Sequence, residues 1–135
     1  MKTFLITVLL LSSPAYSLTD KELNDVLSAI RIVESGNNPD AVGDNGSAIG
    51  VYQIWKPYWI DSRLDGTYHD CFNPAYADRV VRSYMKRYAT KRRLGREPTQ
   101  EDIARIHNGG PNGYKKKRAT QRYWEKVKRV LDKGR

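Results

Sequence analysis

The chain has 135 residues, a length that fits a single domain. Its 24 lysines and arginines outnumber 15 aspartates and glutamates, and the resulting formal net charge of +9 predicts attraction to anionic polymers. Cys71 is the one cysteine of the sequence, so the composition excludes an intramolecular disulfide and indicates a fold held by packing. We expect Cys71 to be a buried, small apolar side chain.

The first residues have the composition of a secretory signal peptide. Lys2 precedes an apolar run, FLITVLLL at residues 4–11, and small residues stand at positions 15 and 17. A bilayer span requires about 20 apolar residues, so the length of this run disfavours the alternative of an uncleaved membrane anchor. We therefore predict a signal peptide at residues 1–17 and one folded domain at residues 18–135.

The first helix is predicted to begin at Thr19 or Asp20, whose side-chain oxygens can cap free backbone N–H groups. Glu22 then stands in the first turn, where negative charge is favourable. Gly36 is suited to end the helix. Between these positions the apolar residues recur at helical spacing, and they are Leu23, Val26, Leu27, Ile30 and Val33. The pattern predicts an amphipathic helix with its apolar face toward the core.

The segment after this helix is irregular in sequence. Residues 36–50 contain four glycines and three asparagines, which is typical of a loop. The run VYQIW at residues 51–55 is short, apolar and aromatic, and it fits either a strand or a buried turn. Residues 61–73 again have the composition of a loop. We expect one small sheet-like or irregular segment near residues 40–60.

Three further helices are predicted in the second half of the chain. Pro74 fits the first turn of a helix, and the apolar positions that follow at helical spacing are Ala77, Val80, Val81, Tyr84, Met85 and Tyr88. Thr99 and Asp102 resemble a capping box before a short helix that the NGGP run at residues 108–111 ends. Tyr123, Val127, Val130 and Leu131 define a last helix. The predicted fold class is α+β and predominantly helical.

Glu34 is the candidate for acid chemistry. It lies one turn past Ile30 and two turns past Leu27, on the apolar face at the C-terminal end of the first helix. We expect its carboxyl to be half-buried. Loss of water and the partial negative charge of the helix terminus both favour the protonated form, which a general acid needs. Position alone leaves open the alternative of a glutamate that turns out to solvent.

The residues after Glu34 resemble a known motif. ESG at residues 34–36, the glycine-rich GDNGSAIG at residues 43–50 and YQI at residues 52–54 resemble the catalytic motif of the lysozyme superfamily. That motif occurs in the invertebrate-type lysozymes and in the soluble lytic transglycosylases. PYWID at residues 57–61, YMKRYAT at residues 84–90 and ARIHNGGPNG at residues 104–113, with YW beyond, are similar to the invertebrate-type branch.

The resemblance implies a lysozyme-like fold with a small β or loop segment beside the catalytic helix. It implies that Glu34 donates a proton to the leaving oxygen and that Asp44 is the nucleophile or electrostatic stabiliser. The implied reaction is retaining hydrolysis of the β-1,4 bond between N-acetylmuramic acid and N-acetylglucosamine in peptidoglycan. Asp40 and Asp61 remain rival second carboxylates. The family is usually rich in disulfides, and this chain departs from it in that respect.

The expected substrate-binding residues come from the same segments. They are Gln53, Tyr58, Trp59, Ile60, Asp61, Tyr84, His107, Asn108 and Gly109. The resemblance implies that Tyr58 and Trp59 face a sugar groove. Tyr84 also fits a core position, and His107 also fits a cap or core histidine. Two histidines and one cysteine, widely separated, do not make a zinc spacing, so we expect no metal and no cofactor.

Two rival functions stay open. A lytic transglycosylase would use Glu34 alone and release 1,6-anhydro sugars, and a non-catalytic wall-binding protein would keep only the fold. The basic runs at residues 91–93 and 115–118 fit anionic cell-wall polymers or a solvated surface. No nucleic-acid-binding module accompanies them, so we expect no nucleic-acid partner. The predicted signal peptide indicates a secreted protein, extracellular or periplasmic, without stable membrane insertion after cleavage.

Overall fold

The computed structural model describes Thr7 and residues 17–135. The predicted signal peptide therefore lies outside the described residues, apart from Thr7 and Ser17. The described part is mostly helical with one small antiparallel sheet, as predicted. Its elements are α1 (Asp20–Ser35), β1 (Val42–Gly43), β2 (Ala48–Ile49), α2 (Lys56–Ser62), α3 (Pro74–Tyr88), α4 (Lys91–Leu94), α5 (Gln100–Gly109) and α6 (Lys117–Lys133).

Helix α1 begins and ends where the sequence predicts. The Thr19 hydroxyl accepts a hydrogen bond from the backbone N–H of Glu22, and the Glu22 carboxylate accepts one from the N–H of Thr19. Gly36 ends the helix in the left-handed conformation, with φ of 62°. The residues that α1 buries are Val26, Leu27, Ala29 and Ile30. The caps and the apolar face are local features, so the sequence alone specifies this helix.

The small sheet and the turn after it form the irregular segment. β1 pairs antiparallel with β2, with Val42 opposite Ile49 and Gly43 opposite Ala48. A 3₁₀ turn at Asp44–Gly46 connects the two strands. Residues 51–53 form a buried turn that returns to β2 through a bridge between Ile49 and Ile54, so the turn alternative for this run is confirmed.

Two short helices, α2 and α4, were not predicted from the sequence, and α2 is the one that contributes to a cleft. It places Pro57 in its first turn and ends at Ser62, inside the segment expected to be loop. A 3₁₀ turn at Tyr68–Phe72 also lies in residues 61–73, so the loop prediction is wrong for parts of that segment. A helix of seven residues shows too little periodicity to be recognised, and its stability comes from packing on α3.

Helices α3, α5 and α6 confirm the three predicted helices. Asn73 caps α3 and Pro74 occupies its first turn. Thr99 and Asp102 form the expected capping box of α5. Cys71 is fully buried, and burial, with a smaller effect of Asp70, raises the pKa of its thiol to about 12. The thiol is therefore a core side chain, as predicted.

Buried polar side chains form hydrogen bonds between helices, in addition to the apolar contacts of the core. Arg105 of α5 is 3% exposed and donates hydrogen bonds to the Glu101 carboxylate, the Lys117 carbonyl and the Thr120 hydroxyl.

Of the helices in the described part of the chain, none combines the length and apolar composition that crossing a membrane needs.

Asp102 anchors the start of α5. Its side chain is 1% exposed and accepts two hydrogen bonds from the Arg96 guanidinium, at 2.5 and 2.8 Å. It also accepts hydrogen bonds from the backbone N–H and the hydroxyl of Thr99. Burial opposes the charged form, but the hydrogen bonds from Arg96 and Thr99 outweigh burial and hold the pKa of Asp102 below its ordinary value.

We expect Asp102→Asn to lower the free energy of unfolding by about 2 kcal/mol at pH 7. A depressed folded-state pKa contributes stability above the unfolded pKa and loses it as pH falls through the folded value. The gap between the two proteins, measured by urea denaturation, should therefore narrow as pH falls below the ordinary aspartate pKa. Asp25→Asn is the matched control, because the Asp25–Lys21 pair is exposed. A gap that persists unchanged at pH 2 would contradict this assignment.

Candidate active site

A cleft of about 690 Å³ brings three carboxylates together, those of Glu34, Asp44 and Asp61. It lies between the end of α1 with the sheet segment and the facing ends of α2 and α5. Its other lining residues are Gln53, Trp55, Pro57, Tyr58, Tyr84, His107, Asn108, Gly110 and Pro111. A separate cavity of about 600 Å³ beside Leu23 and Met85 is lined by one carboxylate, that of Asp20. The cleft is thus the candidate for acid–base chemistry.

Glu34 occupies the last turn of α1 and is half-buried, as predicted, with 22% of its side chain exposed. The neighbouring Ser35 hydroxyl donates a hydrogen bond of 2.8 Å to the Val51 carbonyl. This bond joins the end of α1, where Glu34 lies, to the buried turn. The Oε2 atom of Glu34 lies 3.6 Å from Nε2 of His107.

His107 stands behind Glu34 in a fixed orientation. Its Nε2 atom lies 3.0 Å from the Tyr52 carbonyl oxygen, which can only accept, so Nε2 carries a hydrogen and donates it. In the neutral ring Nδ1 is then an acceptor, and the Tyr58 hydroxyl donates a hydrogen bond of 3.0 Å to it. The imidazole therefore links the turn, α2 and α5 at the back of the cleft.

An aromatic cluster surrounds this histidine. The rings of Tyr58 and Tyr84 are stacked, with centroids 3.6 Å apart and an angle of 9° between their planes. The His107 ring packs edge-on against Tyr58 and lies 6.5 Å from the Tyr123 ring. Burial, followed by Tyr84, Tyr123, Tyr52 and Glu34, raises the pKa of Tyr58 well above its ordinary value. Burial likewise raises the pKa of Tyr84 and Tyr123, so these phenols stay protonated.

Asp44 lies in a different environment, on the exposed rim of the cleft. It begins the 3₁₀ turn between the strands, with φ of 48°. Its Oδ2 atom accepts a hydrogen bond of 3.1 Å from the indole N–H of Trp55. One carboxyl of the cleft is thus shielded from water and another is exposed to it.

Gln53 holds the loop that carries Asp44. Its side-chain amide donates hydrogen bonds to the carbonyl oxygens of Ala41 and Gly50, at 3.2 and 3.0 Å. A Cβ atom at Gly43 would lie 2.3 Å from the Gln53 Oε1 atom. Position 43 therefore admits only glycine while Gln53 keeps this position, and the side chain supports the loop while lining the cleft.

The structure brings eight of the predicted site residues to the cleft. They are Glu34, Asp44, Gln53, Tyr58, Asp61, Tyr84, His107 and Asn108. Tyr84 was expected either in the groove or in the core, and it occupies both, because it lines the cleft and is only 2% exposed. His107 likewise lines the cleft while its side chain is buried. Asp40, a rival second carboxylate, is exposed outside the lining, whereas Asp61 lies within it.

Trp59, Ile60 and Gly109 do not line the cleft. Neighbours on a helix point about 100° apart, so Trp59 turns away when Tyr58 faces the cleft. Its indole N–H donates to the Tyr76 hydroxyl at 2.9 Å, which corrects the expectation that Trp59 faces the groove. Ile60 is 56% exposed. Gly109 packs against α6, where an added Cβ atom would lie 2.7 Å from the Thr120 methyl group.

Four lining residues were absent from the predicted set. They are Trp55, Pro57, Gly110 and Pro111. Each lies in or beside a segment that the sequence analysis singled out, but local spacing does not show which side chains of such a segment face a cleft. Within the described residues, no group of three or more histidine, cysteine, aspartate or glutamate side chains is arranged to hold a metal ion.

The chain is similar in sequence to known proteins. Residues 24–130 match the family model described as Destabilase. The chain is 40% identical to lysozyme 1 of Crassostrea virginica, covering 75% of this chain and 55% of that protein. It is 43% identical to the invertebrate-type lysozyme of Ruditapes philippinarum, covering 64% of each. The chain thus spans less than two thirds of the length of these two relatives.

Solved structures of lysozymes share the fold. The inhibitor-bound lysozyme of Meretrix lusoria superposes with a TM-score of 0.68 at 37% identity, over 86% of this chain and 93% of that one. The Tapes japonica lysozyme superposes with a TM-score of 0.66 at 32% identity, over 84% of this chain and 91% of that one. The predicted lysozyme-like fold is confirmed.

We expect Tyr58→Phe to lower the free energy of unfolding by about 1–2 kcal/mol, because it leaves the buried Nδ1 of His107 without its donor. Tyr84→Phe is the matched control, since it keeps the stacked ring and no hydrogen bond of the Tyr84 hydroxyl is present among the described residues. Urea denaturation of the two variants measures the difference. Equal stabilities would contradict the hydrogen bond between Tyr58 and His107.

Proposed function

The chain belongs to the Destabilase family of invertebrate-type lysozymes, and on that premise we propose that it hydrolyses the glycan strands of bacterial peptidoglycan. The bond cleaved is the β-1,4 link between N-acetylmuramic acid and N-acetylglucosamine. The observation that carries the proposal is the pair of carboxyl groups in one cleft, Glu34 half-buried and Asp44 exposed. Glycoside hydrolysis uses two such groups in different protonation states.

In this proposal Glu34 protonates the oxygen of the leaving sugar. Its carboxyl is half-buried against His107, with 22% of the side chain exposed to the cleft. Asp44 stays ionised and stabilises or captures the positive anomeric carbon. The exposed Trp55 ring beside Asp44 offers an apolar face for a sugar ring, and its indole N–H holds the Asp44 carboxylate.

The two rival functions make different demands on the cleft. A lytic transglycosylase needs Glu34 as acid and then base, but no second carboxylate. The presence of Asp44 in the cleft lining favours the hydrolase. A non-catalytic wall-binding protein has no need for a glutamate held against His107, so the intact surroundings of Glu34 disfavour this alternative.

The α6 helix supports a second contact with the bacterial wall, through anionic polymers. A row of cations spaced three or four residues apart shares one helix face, and its members are Arg118, Arg122, Lys126, Arg129 and Lys133. All five are exposed, and within residues 17–135 none of them has an ion pair or hydrogen-bond partner. The row is about 22 Å long. Three of its members are arginines, which suit phosphodiester groups.

The basic runs seen in the sequence contribute less to this surface. Arg93 donates hydrogen bonds to the Tyr88 and Pro111 carbonyls, and Lys116 donates one to the Gly109 carbonyl. These two cations hold loops together, whereas the five cations of the α6 row are free of such contacts within residues 17–135. The predicted signal peptide supports the further proposal that the protein is secreted and meets the wall outside the cytoplasm.

We expect Glu34→Gln to fold and to lose activity about 1000-fold, because the amide cannot donate a proton to the leaving oxygen. Asp44→Asn should lose about 100-fold or more in a hydrolase. Mass spectrometry of fragments released from purified peptidoglycan measures both effects. Reducing muramic ends that carry an added water identify hydrolysis.

Asp40→Asn is the matched control for Asp44→Asn, because Asp40 is an exposed carboxylate outside the cleft lining. Full activity of Glu34→Gln would contradict the proposed acid. Anhydro ends with unchanged activity of Asp44→Asn would identify a transglycosylase. Folded wild-type protein that releases no fragments would favour the wall-binding alternative.

We expect Arg122→Gln/Arg129→Gln to weaken binding to poly(glycerol phosphate) about fivefold at low salt. Activity on short soluble glycans should be unchanged, because neither residue lines the cleft. Arg79→Gln/Lys86→Gln removes the same charge from exposed positions on α3 and is the matched control. Equal weakening by the two double variants would show that net charge, and not the α6 row, determines binding.

A further inference from the structure

One buried polar atom in the described chain lacks a hydrogen-bond partner there, the hydroxyl oxygen of Tyr123. Tyr123 belongs to α6 and is 9% exposed. Buried hydroxyl groups are nearly always hydrogen-bonded, because an unpaired one has lost its hydrogen bonds to water without replacement. A phenylalanine would fill the same space without this cost. The hydroxyl therefore calls for an explanation beyond packing.

The position of Tyr123 supplies that explanation. Its ring lies nearly parallel to the His107 ring, at a centroid distance of 6.5 Å and an angle of 26°. His107 in turn stands 3.6 Å from the Glu34 carboxyl. Burial raises the pKa of Tyr123 well above its ordinary value, and the charge of Glu34 adds to the effect. The phenol is thus close to Glu34 and stays protonated.

Glu34 is also short of partners. Among the described residues, its nearest polar contact is the His107 nitrogen at 3.6 Å, which is longer than a hydrogen bond. An unpaired carboxyl and an unpaired hydroxyl therefore both lie beside His107, near enough for the charge of Glu34 to raise the pKa of Tyr123. Their direct contact requires a bridging water or a change of the Glu34 rotamer.

We propose that Tyr123 is a positioning residue that donates a hydrogen bond to Glu34 when Glu34 carries negative charge. The inference rests on the proposed role of Glu34 as acid. When Glu34 gives its proton to the leaving oxygen, its carboxylate gains a neutral donor that is already in place. A hydrogen bond to a carboxylate is stronger than one to the neutral acid, so the hydroxyl acts mainly after proton transfer begins.

Other titratable groups at this site leave the role to Tyr123. They are Asp44 of the loop, Tyr58 of α2, Asp61 of α2, Tyr84 of α3 and His107 of α5. The hydroxyl of Tyr58 is used by His107 Nδ1, and the Nε2 hydrogen of His107 is used by the Tyr52 carbonyl. Asp44 and Asp61 are acceptors when ionised. The Tyr84 hydroxyl also lacks a hydrogen-bond partner among the described residues, but the carboxylate that affects its pKa is Asp61, not Glu34. Tyr123 is therefore the buried donor beside Glu34 whose hydrogen is not already used.

The test is Tyr123→Phe, with Tyr114→Phe as matched control. Tyr114 is as deeply buried, but its hydroxyl donates to the Arg93 carbonyl at 3.1 Å, outside the cleft lining. We expect Tyr123→Phe to keep or raise the midpoint of urea denaturation, whereas Tyr114→Phe lowers it. On soluble peptidoglycan fragments, Tyr123→Phe should reduce kcat about fivefold with little change in KM.

The pH dependence separates positioning from packing. Without the Tyr123 hydroxyl the Glu34 carboxylate is less stabilised. The basic limb of the pH–rate profile should therefore move to higher pH by about 0.5–1 unit. The pH midpoint of the Glu34 carboxyl titration, followed by ¹³C NMR, should rise by the same amount. Tyr114→Phe should leave both measurements as in the wild type.

The outcomes distinguish this inference from the proposed function. Unchanged kcat, pH profile and NMR titration in Tyr123→Phe would overturn the inference while wild-type cleavage supports the function. A shifted NMR titration in a protein whose wild type cleaves no peptidoglycan would support the contact between Tyr123 and Glu34 and reject the hydrolase. A shifted titration together with a lowered kcat supports both.

Discussion

The buried imidazole of His107 is the contact on which the candidate site depends. It donates to the carbonyl of Tyr52 in the turn, accepts from Tyr58 of α2, and stands 3.6 Å from Glu34 at the end of α1. These groups are far apart in the chain, and one planar side chain sets their spacing. Because both ring nitrogens are hydrogen-bonded, the imidazole has a fixed orientation at the back of the cleft.

The fold holds this geometry with one cysteine, which is buried in its core. Stacked and tilted aromatic rings fill the space between α2, α3 and α5, while the Arg105 and Asp102 networks fix α5 against its neighbours. Arg31, Tyr52 and Asp78 form a further chain of hydrogen bonds between α1, the turn and α3. Such buried polar contacts constrain helix positions more closely than apolar packing alone, because each requires a particular distance and direction.

Much of the fold was predictable because its helices carry their own start and stop residues. Thr19, Asn73 and Thr99 cap the helices that follow them, and apolar spacing defines the buried faces. Helix α2 was missed because seven residues show no clear period, and because Pro57 and Trp55 fit a loop equally well. The site was predictable in part for the same reason. Glu34 follows from helical spacing, whereas Trp55 and Pro111 face the cleft only through the path of loops.

The sequence by itself determined helices α1, α3, α5 and α6, the apolar face that carries Glu34, and the family motifs that single out Asp44. The helices and the apolar face depend on neighbours within about four residues, which local spacing records. The tertiary structure decided that Trp59 points to Tyr76, that Trp55 holds Asp44, and that Arg93 serves loops while α6 keeps free charge. It also decided that the Tyr123 hydroxyl is buried beside His107. Each of these contacts joins residues distant in the chain, and local spacing holds no record of which distant groups meet.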